Sequence, residues 1–256
     1  MSDESSWDQY PFRVLRTTAR TPVIRELKLS PQAATLAYNA GQYVLLNDMD
    51  YRLPPRSYSI ANAPQPDGQV SLLVTLVPDG ATSRWVHERL RVGEQVALTG
   101  PYGTFVPDPR QTGPVLLLAA GSGLAPARAL CEELLDGFVP RPVTLFFSAR
   151  TRADTIDHDR FCDLADSRDD FRYLLTLTRA DEAPQCPHVP DLLADAFEDL
   201  SGWEVFASGP PGFVAGCAEA AQRLGAEPGA VHTEEFFADP QPWTELPPIT
   251  GQRAER

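Results

Sequence analysis

The hydrophobic and polar positions change rhythm once along the 256-residue chain. Up to about Gly100 apolar residues come in short runs that alternate with polar ones and are broken by glycine and proline. Strands are predicted over residues 12–18, 23–30, 43–46, 56–62, 69–77 and 95–99, with turns at 40–42, 64–68, 92–94 and 100–103. Short strands at this spacing predict an antiparallel barrel or sandwich. One helix interrupts them: Thr82 or Ser83 caps a run to about Leu90, and Val86 and Leu90, four apart, share its buried face.

After a proline-rich linker at 106–114 the rhythm becomes strand, helix, strand, helix. Residues 115–119 are a continuous apolar run, as in a strand covered on both faces. Further strands are predicted at 143–148, 171–177 and 204–207, and helices from Pro126 to about Leu135 and over 157–166, 191–200 and 211–224. This alternation predicts an α/β doubly wound parallel sheet with its ligand crevice at the carboxyl ends of the strands. The chain therefore reads as two domains, residues 10–108 and 112–237, followed by a proline-rich tail, 238–256, with Trp243 as its one aromatic.

Charge separates the halves. Residues 1–110 carry eleven acidic and eleven basic side chains, so the whole excess of −13 lies in the second half. That surface argues against nucleic acid as a partner. No apolar run is long enough to cross a bilayer, and the acidic start resembles no targeting peptide, so a cytoplasmic protein is expected. The four cysteines, at 131, 162, 186 and 217, and the four histidines are too scattered for a local metal site, and no metal is expected.

Several stretches carry candidate chemistry. R-S-Y-S-I-A-N at 56–62 sets a cation, a ring and hydroxyls together. Period-two alternation sends Arg56, Tyr58 and Ile60 to one face and Ser57 and Ser59 to the other. A guanidinium matches two phosphate oxygens, a tyrosine can lie on a planar ring, and a serine can meet a ring nitrogen. A flavin nucleotide has those needs, although a surface strand with a structural arginine has the same composition. G-A-T-S at 80–83 stands at a helix N-terminus, whose free N–H groups suit an anion or an ordinary cap. G-S-G-L-A-P at 121–126 lies between an apolar strand and a helix, with Pro126 where the third glycine of a dinucleotide fingerprint would stand. Ser122 there also admits a hydrolase nucleophile with His232 as base, but Ala120 and Leu124 occupy the outer positions that G-x-S-x-G reserves for glycine. Arg150 and the Thr178-Arg179 pair follow the second and third strands of this half, where arginine and hydroxyl suit a 2′-phosphate better than an acid would; Arg150 equally fits an exposed strand end. The last strand ends in S-G-P-P at 208–211, and E-E-F at 234–236 closes the domain.

Taken together, R-S-Y-S, G-A-T-S, G-P-Y-G at 100–103, A-G-S-G-L-A-P at 120–126, S-G-P-P and E-E-F stand in the order found in the ferredoxin–NADP reductase superfamily. The chain resembles, in particular, the reductase components of bacterial oxygenases, over residues from about 10 to 237. The resemblance implies an N-terminal antiparallel Greek-key β-barrel carrying FAD and a C-terminal α/β doubly wound domain binding NAD(P)H, with NADPH preferred. It implies that Arg56 pairs with the flavin pyrophosphate within the cofactor-binding motif that includes Ser57. Tyr58 would stack on the isoalloxazine, and Ser59 would hydrogen-bond near N5. Gly80, Thr82 and Ser83 would hold the flavin pyrophosphate; Gly121, Ser122 and Gly123 would hold that of the nicotinamide nucleotide. Thr178 and Arg179 would take the 2′-phosphate, and Gly209, Pro210 and Phe236 would line the cofactor site. Glu234 would stand near the flavin as a proton relay, so Ser59, Tyr58 and Glu234 are the expected catalytic residues. Three departures stand out. Ser208 replaces the cysteine common before G-P-P, no cysteine cluster for a [2Fe–2S] centre is present, and the tail with Trp243 is long. The chain is therefore expected to act as a monomer that passes electrons to a separate ferredoxin or oxygenase component. A reductase of free flavin or small acceptors, and a non-catalytic FAD-binding subunit, are the alternatives.

Overall fold

The first rhythm folds into six strands: β1 (Gln9–Ala19), β2 (Ile24–Pro31), β3 (Tyr43–Asp48), β4 (Arg56–Ser59), β5 (Val70–Thr75) and β6 (Gln95–Tyr102). The structure is a computed structural model and describes residues 9–137, 139–179 and 188–237, so the tail with Trp243 and also Cys186 lie outside the described residues. Neighbouring strands are antiparallel in the order β4-β3-β6-β1-β2-β5. A bridge between Ile60 and Leu72 joins the two outer strands and closes the barrel. Alternation along the strands sends Phe12, Leu27, Leu46, Leu72 and Leu98 inward. Helix α1 (Ala81–Glu88) covers one end, with Val86 and, just beyond the helix, Leu90 in the same core.

The second rhythm folds into a parallel sheet, ordered β11-β10-β7-β8-β9. Its strands are β7 (Val115–Ala120), β8 (Val143–Ala149), β9 (Phe171–Leu177), β10 (Glu204–Gly209) and β11 (Val231–Glu235). Helices α2 (Leu124–Asp136), α3 (His158–Ser167), α4 (Val189–Ala196) and α5 (Pro211–Arg223) cover both faces. The continuous apolar run of β7 explains why: Leu117 and Ala119 pack with α2, while Leu116 and Leu118 pack with α4 and α5. The α2-side core continues into the barrel through Ile24, Ala61, Leu73 and Phe105, so the two domains share one apolar layer. Phe105 meets Phe206 edge-on at 5.0 Å within it.

Two predicted boundaries move for physical reasons. The turn expected at 100–103 is partly strand, because β6 continues to Tyr102, which pairs with Tyr43. The helix expected over 191–200 runs instead from Val189 to Ala196. Pro190 is tolerated in the first turn, where its missing N–H has no partner to lose. At the other end Phe197 turns extended and packs edge-on against Trp203 at 5.0 Å.

Candidate active site

Ser59 and Glu234, 175 residues apart, meet where the barrel abuts the carboxyl edge of the parallel sheet: the Ser59 hydroxyl donates to Glu234 Oε1 at 2.7 Å. Ser59 ends β4 opposite Tyr43 and is buried. Glu234 sits on the outer strand β11 in register with Ser208, and the following turn is pinned by the Phe236 N–H, which donates to the Gly209 carbonyl at 2.8 Å. The other carboxylate oxygen, Glu234 Oε2, is buried and has no hydrogen-bond partner among the described residues. Burial raises the Glu234 carboxyl to about 7, against a lowering by the Ser59 hydrogen bond. A group that titrates near neutrality, holding a spare oxygen away from water, can take up and release a proton at a bound ring. Tyr58, the residue before Ser59, is half-buried against the barrel core, and burial pushes its phenol well above the ordinary range.

The far side of β4 suits phosphate. Arg56 is partly buried, donates only to the neighbouring Pro55 carbonyl at 3.0 Å, and makes no ion pair among the described residues. Helix α1 begins beside it, because the Thr82 hydroxyl donates to the Pro54 carbonyl at 2.5 Å. The Ser83 hydroxyl is likewise taken up, receiving the Val77 N–H at 3.1 Å and reaching the Gly80 carbonyl at 3.1 Å. Both hydroxyls therefore brace the turn, and no side chain caps the helix. What faces outward for an anion is backbone: the first N–H groups of α1, next to a cation without a carboxylate. Ser57 is exposed.

The second candidate site for an anion is the turn after β7. Gly121 has φ +57° and open space where a side chain would stand. At Gly123 a Cβ would lie 2.2 Å from the Ser208 carbonyl oxygen, so only glycine lets the turn lie against the end of β10. Ser208 accounts for its own presence: fully buried, it donates to the Gly123 carbonyl at 2.7 Å and ties the turn to β10. Gly209 and Pro210 follow directly, Pro210 leading into α5. Ser122 is bonded across the domain boundary to Thr75 at the end of β5, at 2.9 Å. His232 lies elsewhere, donating to Glu204 at 3.0 Å and stacked on Phe206, so no hydrolase pair forms with Ser122. At the other end of the sheet edge the Thr178 and Arg179 N–H groups donate to the Ala149 and Arg150 carbonyls at 2.9 and 2.8 Å, which sets Arg150 and Arg179 side by side.

Two buried charge clusters were not anticipated. Arg128 on α2 donates to Glu26 of the barrel at 2.6 Å, to Asp157 at 2.8 Å and to the Ala61 carbonyl; Arg20 of the barrel also pairs with Asp157. Its sequence signal is a lone cation inside the otherwise apolar segment from Leu124 to Cys131. Glu204, fully buried at the start of β10, takes Arg141 at 2.6 Å, His232, and the Asp108 N–H at 2.9 Å. Burial alone would raise its carboxyl, but these donors outweigh burial and hold it low. The second cluster pins the interdomain linker to the foot of the sheet; the first locks the two domains face to face.

Comparison with known proteins agrees with this geometry. Residues 17–106 match the family of oxidoreductase FAD-binding domains, and residues 117–219 match that of oxidoreductase NAD-binding domains. The reductase component of phenol 2-monooxygenase from Pseudomonas sp. is 34% identical over 69% of this chain and 51% of its own. The reductase subunit of an aromatic O-demethylase from Amycolatopsis sp. is 34% identical over 80% of this chain and 62% of its own. The chain thus spans between half and two thirds of the lengths of these curated relatives. Among solved structures, the Amycolatopsis cytochrome P450 reductase GcoB superposes with a TM-score of 0.80 at 31% identity, covering 91% of this chain and 71% of that one. No helix among the described residues is long and apolar enough to cross a membrane. The matched FAD-binding and NAD-binding domains, together with the likeness to GcoB, make this chain a member of the ferredoxin–NADP reductase superfamily, built to hold FAD and NAD(P)H.

Proposed function

We propose that this protein is an NAD(P)H-dependent flavin reductase that supplies electrons to a separate redox protein, a ferredoxin or an oxygenase component. Bound FAD would supply the redox chemistry, accepting a hydride and releasing its electrons singly. The observation that carries the reading is the 2.7 Å contact between Ser59 of the flavin motif and Glu234 of the closing motif, where both ring systems have to meet. In this reading the chain binds, orients and manages protons. Arg56 and the first N–H groups of α1 hold the flavin pyrophosphate, and Tyr58 supports the ring. Ser59 offers its hydroxyl at the ring edge, and Glu234 holds or gives up a proton behind it. Gly121–Gly123, with Gly209 and Pro210 alongside, receive the dinucleotide. The side-by-side placement of Arg150 and Arg179, with Thr178, supports NADPH over NADH. The names of the relatives support the acceptor class, and the reading takes the protein as a cytoplasmic monomer.

The test is direct. The purified protein should be yellow, should bleach under anaerobic NADPH, and should reduce cytochrome c faster when a candidate ferredoxin is added. A flavin that stays oxidised in excess NADPH and NADH would refute the reading. Arg179→Ala should raise KM for NADPH about tenfold or more and leave that for NADH nearly unchanged, since it removes one charge-assisted contact.

A further inference from the structure

We propose that Thr75, a residue of the flavin barrel, is a positioning residue for the nicotinamide nucleotide, acting through Ser122 of the pyrophosphate turn. The inference deepens the proposed function and rests on it. Along β5 the side chains alternate: Val70, Leu72 and Val74 enter the barrel core, whereas Leu73 faces the layer shared with the second domain. Thr75 falls on that outer face by the same period of two, as the last residue of the strand. Its partner there is polar: the Thr75 hydroxyl donates to Ser122 Oγ at 2.9 Å, across 47 residues and the domain boundary.

The chemistry of the pair follows from hydroxyl bookkeeping. A serine hydroxyl has one proton and two acceptor sites. With Thr75 donating, one acceptor site of Ser122 is filled and its own proton stays free to be donated. Ser122 is only partly buried, and beside it Gly121 faces open space. An anion arriving at the turn accepts a hydrogen bond from the Ser122 hydroxyl, and the chain Thr75–Ser122–phosphate is then oriented in one direction. Each bond in such a chain polarises the next, so Thr75 strengthens a contact it does not itself make. Thr75 also fixes the Ser122 rotamer from the flavin side, so this contact is in place only when the two domains are seated on each other.

The experiment is a double-mutant cycle on the FAD-loaded full chain. Affinity for NADP+ or NAD+, whichever the native protein binds more tightly, is measured calorimetrically, with KM, kcat and flavin content alongside. Thr75→Val, which keeps the shape and removes the hydroxyl, should weaken binding about three- to tenfold. It should raise KM in parallel and leave kcat at saturation and flavin content within about twofold. Thr75→Ser should restore native affinity. Ser122→Ala should weaken binding at least as much, and Thr75→Val added to Ser122→Ala should do nothing further. Unchanged or tighter binding in Thr75→Val, or an equal loss in both backgrounds, would overturn the inference, the second by showing that Thr75 only packs. A native protein that binds neither nucleotide would defeat the functional reading, and this inference with it.

Discussion

Glu234 concentrates the chemistry of the site in one ionisation. Its carboxyl is raised from about 4.5 to about 7 because burial penalises the charged form more than the Ser59 hydrogen bond favours it. The folded state therefore holds this proton more tightly than the unfolded chain does. Between the two values the native protein carries the extra proton, so the contribution of this group to stability falls as pH rises from about 4.5 through about 7 and is flat on either side. The whole contribution is at most about 3 kcal/mol. Urea denaturation of the apoprotein checks it: the stability difference between Glu234→Gln and the native chain should grow in favour of the variant between pH 5 and pH 8. A difference independent of pH would mean that the carboxyl is not raised. Ser59→Ala removes the one hydrogen bond this carboxylate makes among the described residues. FAD should stay bound, since Arg56 and α1 are untouched, while the rate of flavin reduction by NAD(P)H should fall about tenfold to a hundredfold in stopped-flow measurements.

At the scale of elements, the sheet edge is organised by Ser208 and Gly123. Their contact has two halves, a glycine that admits a carbonyl at close range and a hydroxyl that donates back at 2.7 Å. Ser208→Ala leaves the Gly123 carbonyl short of a buried donor and should cost about 1 kcal/mol in chemical denaturation. Gly123→Ala forces backbone apart and should abolish nucleotide binding while leaving flavin content intact. The sequence made part of this legible. The rhythm of apolar residues located both sheets, and G-S-G-L-A-P located the turn, because glycine and proline act locally. The serine in place of cysteine was visible as a substitution, but its hydrogen bond was not, since its partner lies 85 residues away on another element. In the same way Thr82 and Ser83 were legible as hydroxyls at a helix start, yet the sequence could not show that both turn inward onto Pro54, Val77 and Gly80.

Across the whole molecule, Arg128 does what no local pattern announces. It joins barrel and α/β domain through Glu26, Asp157 and Ala61, contacts separated by 102, 29 and 67 residues. Burying three charges contributes little net stability compared with apolar packing of the same volume, but removing one partner is costly. Arg128→Met alone should therefore destabilise the protein by about 3 kcal/mol, the buried carboxylates of Glu26 and Asp157 being left with only the partly exposed Arg20. Adding Glu26→Leu and Asp157→Asn removes those orphaned charges and should recover most of the loss. The flavin reduction rate separates stability from orientation. If the cluster holds the two domains at the angle that seats Ser59 against Glu234, the triple variant should be nearly as stable as the native chain and still reduce its flavin several-fold more slowly. Recovery of both together would show that the shared apolar layer of Ile24, Leu73 and Phe105 sets the domain angle without the charges.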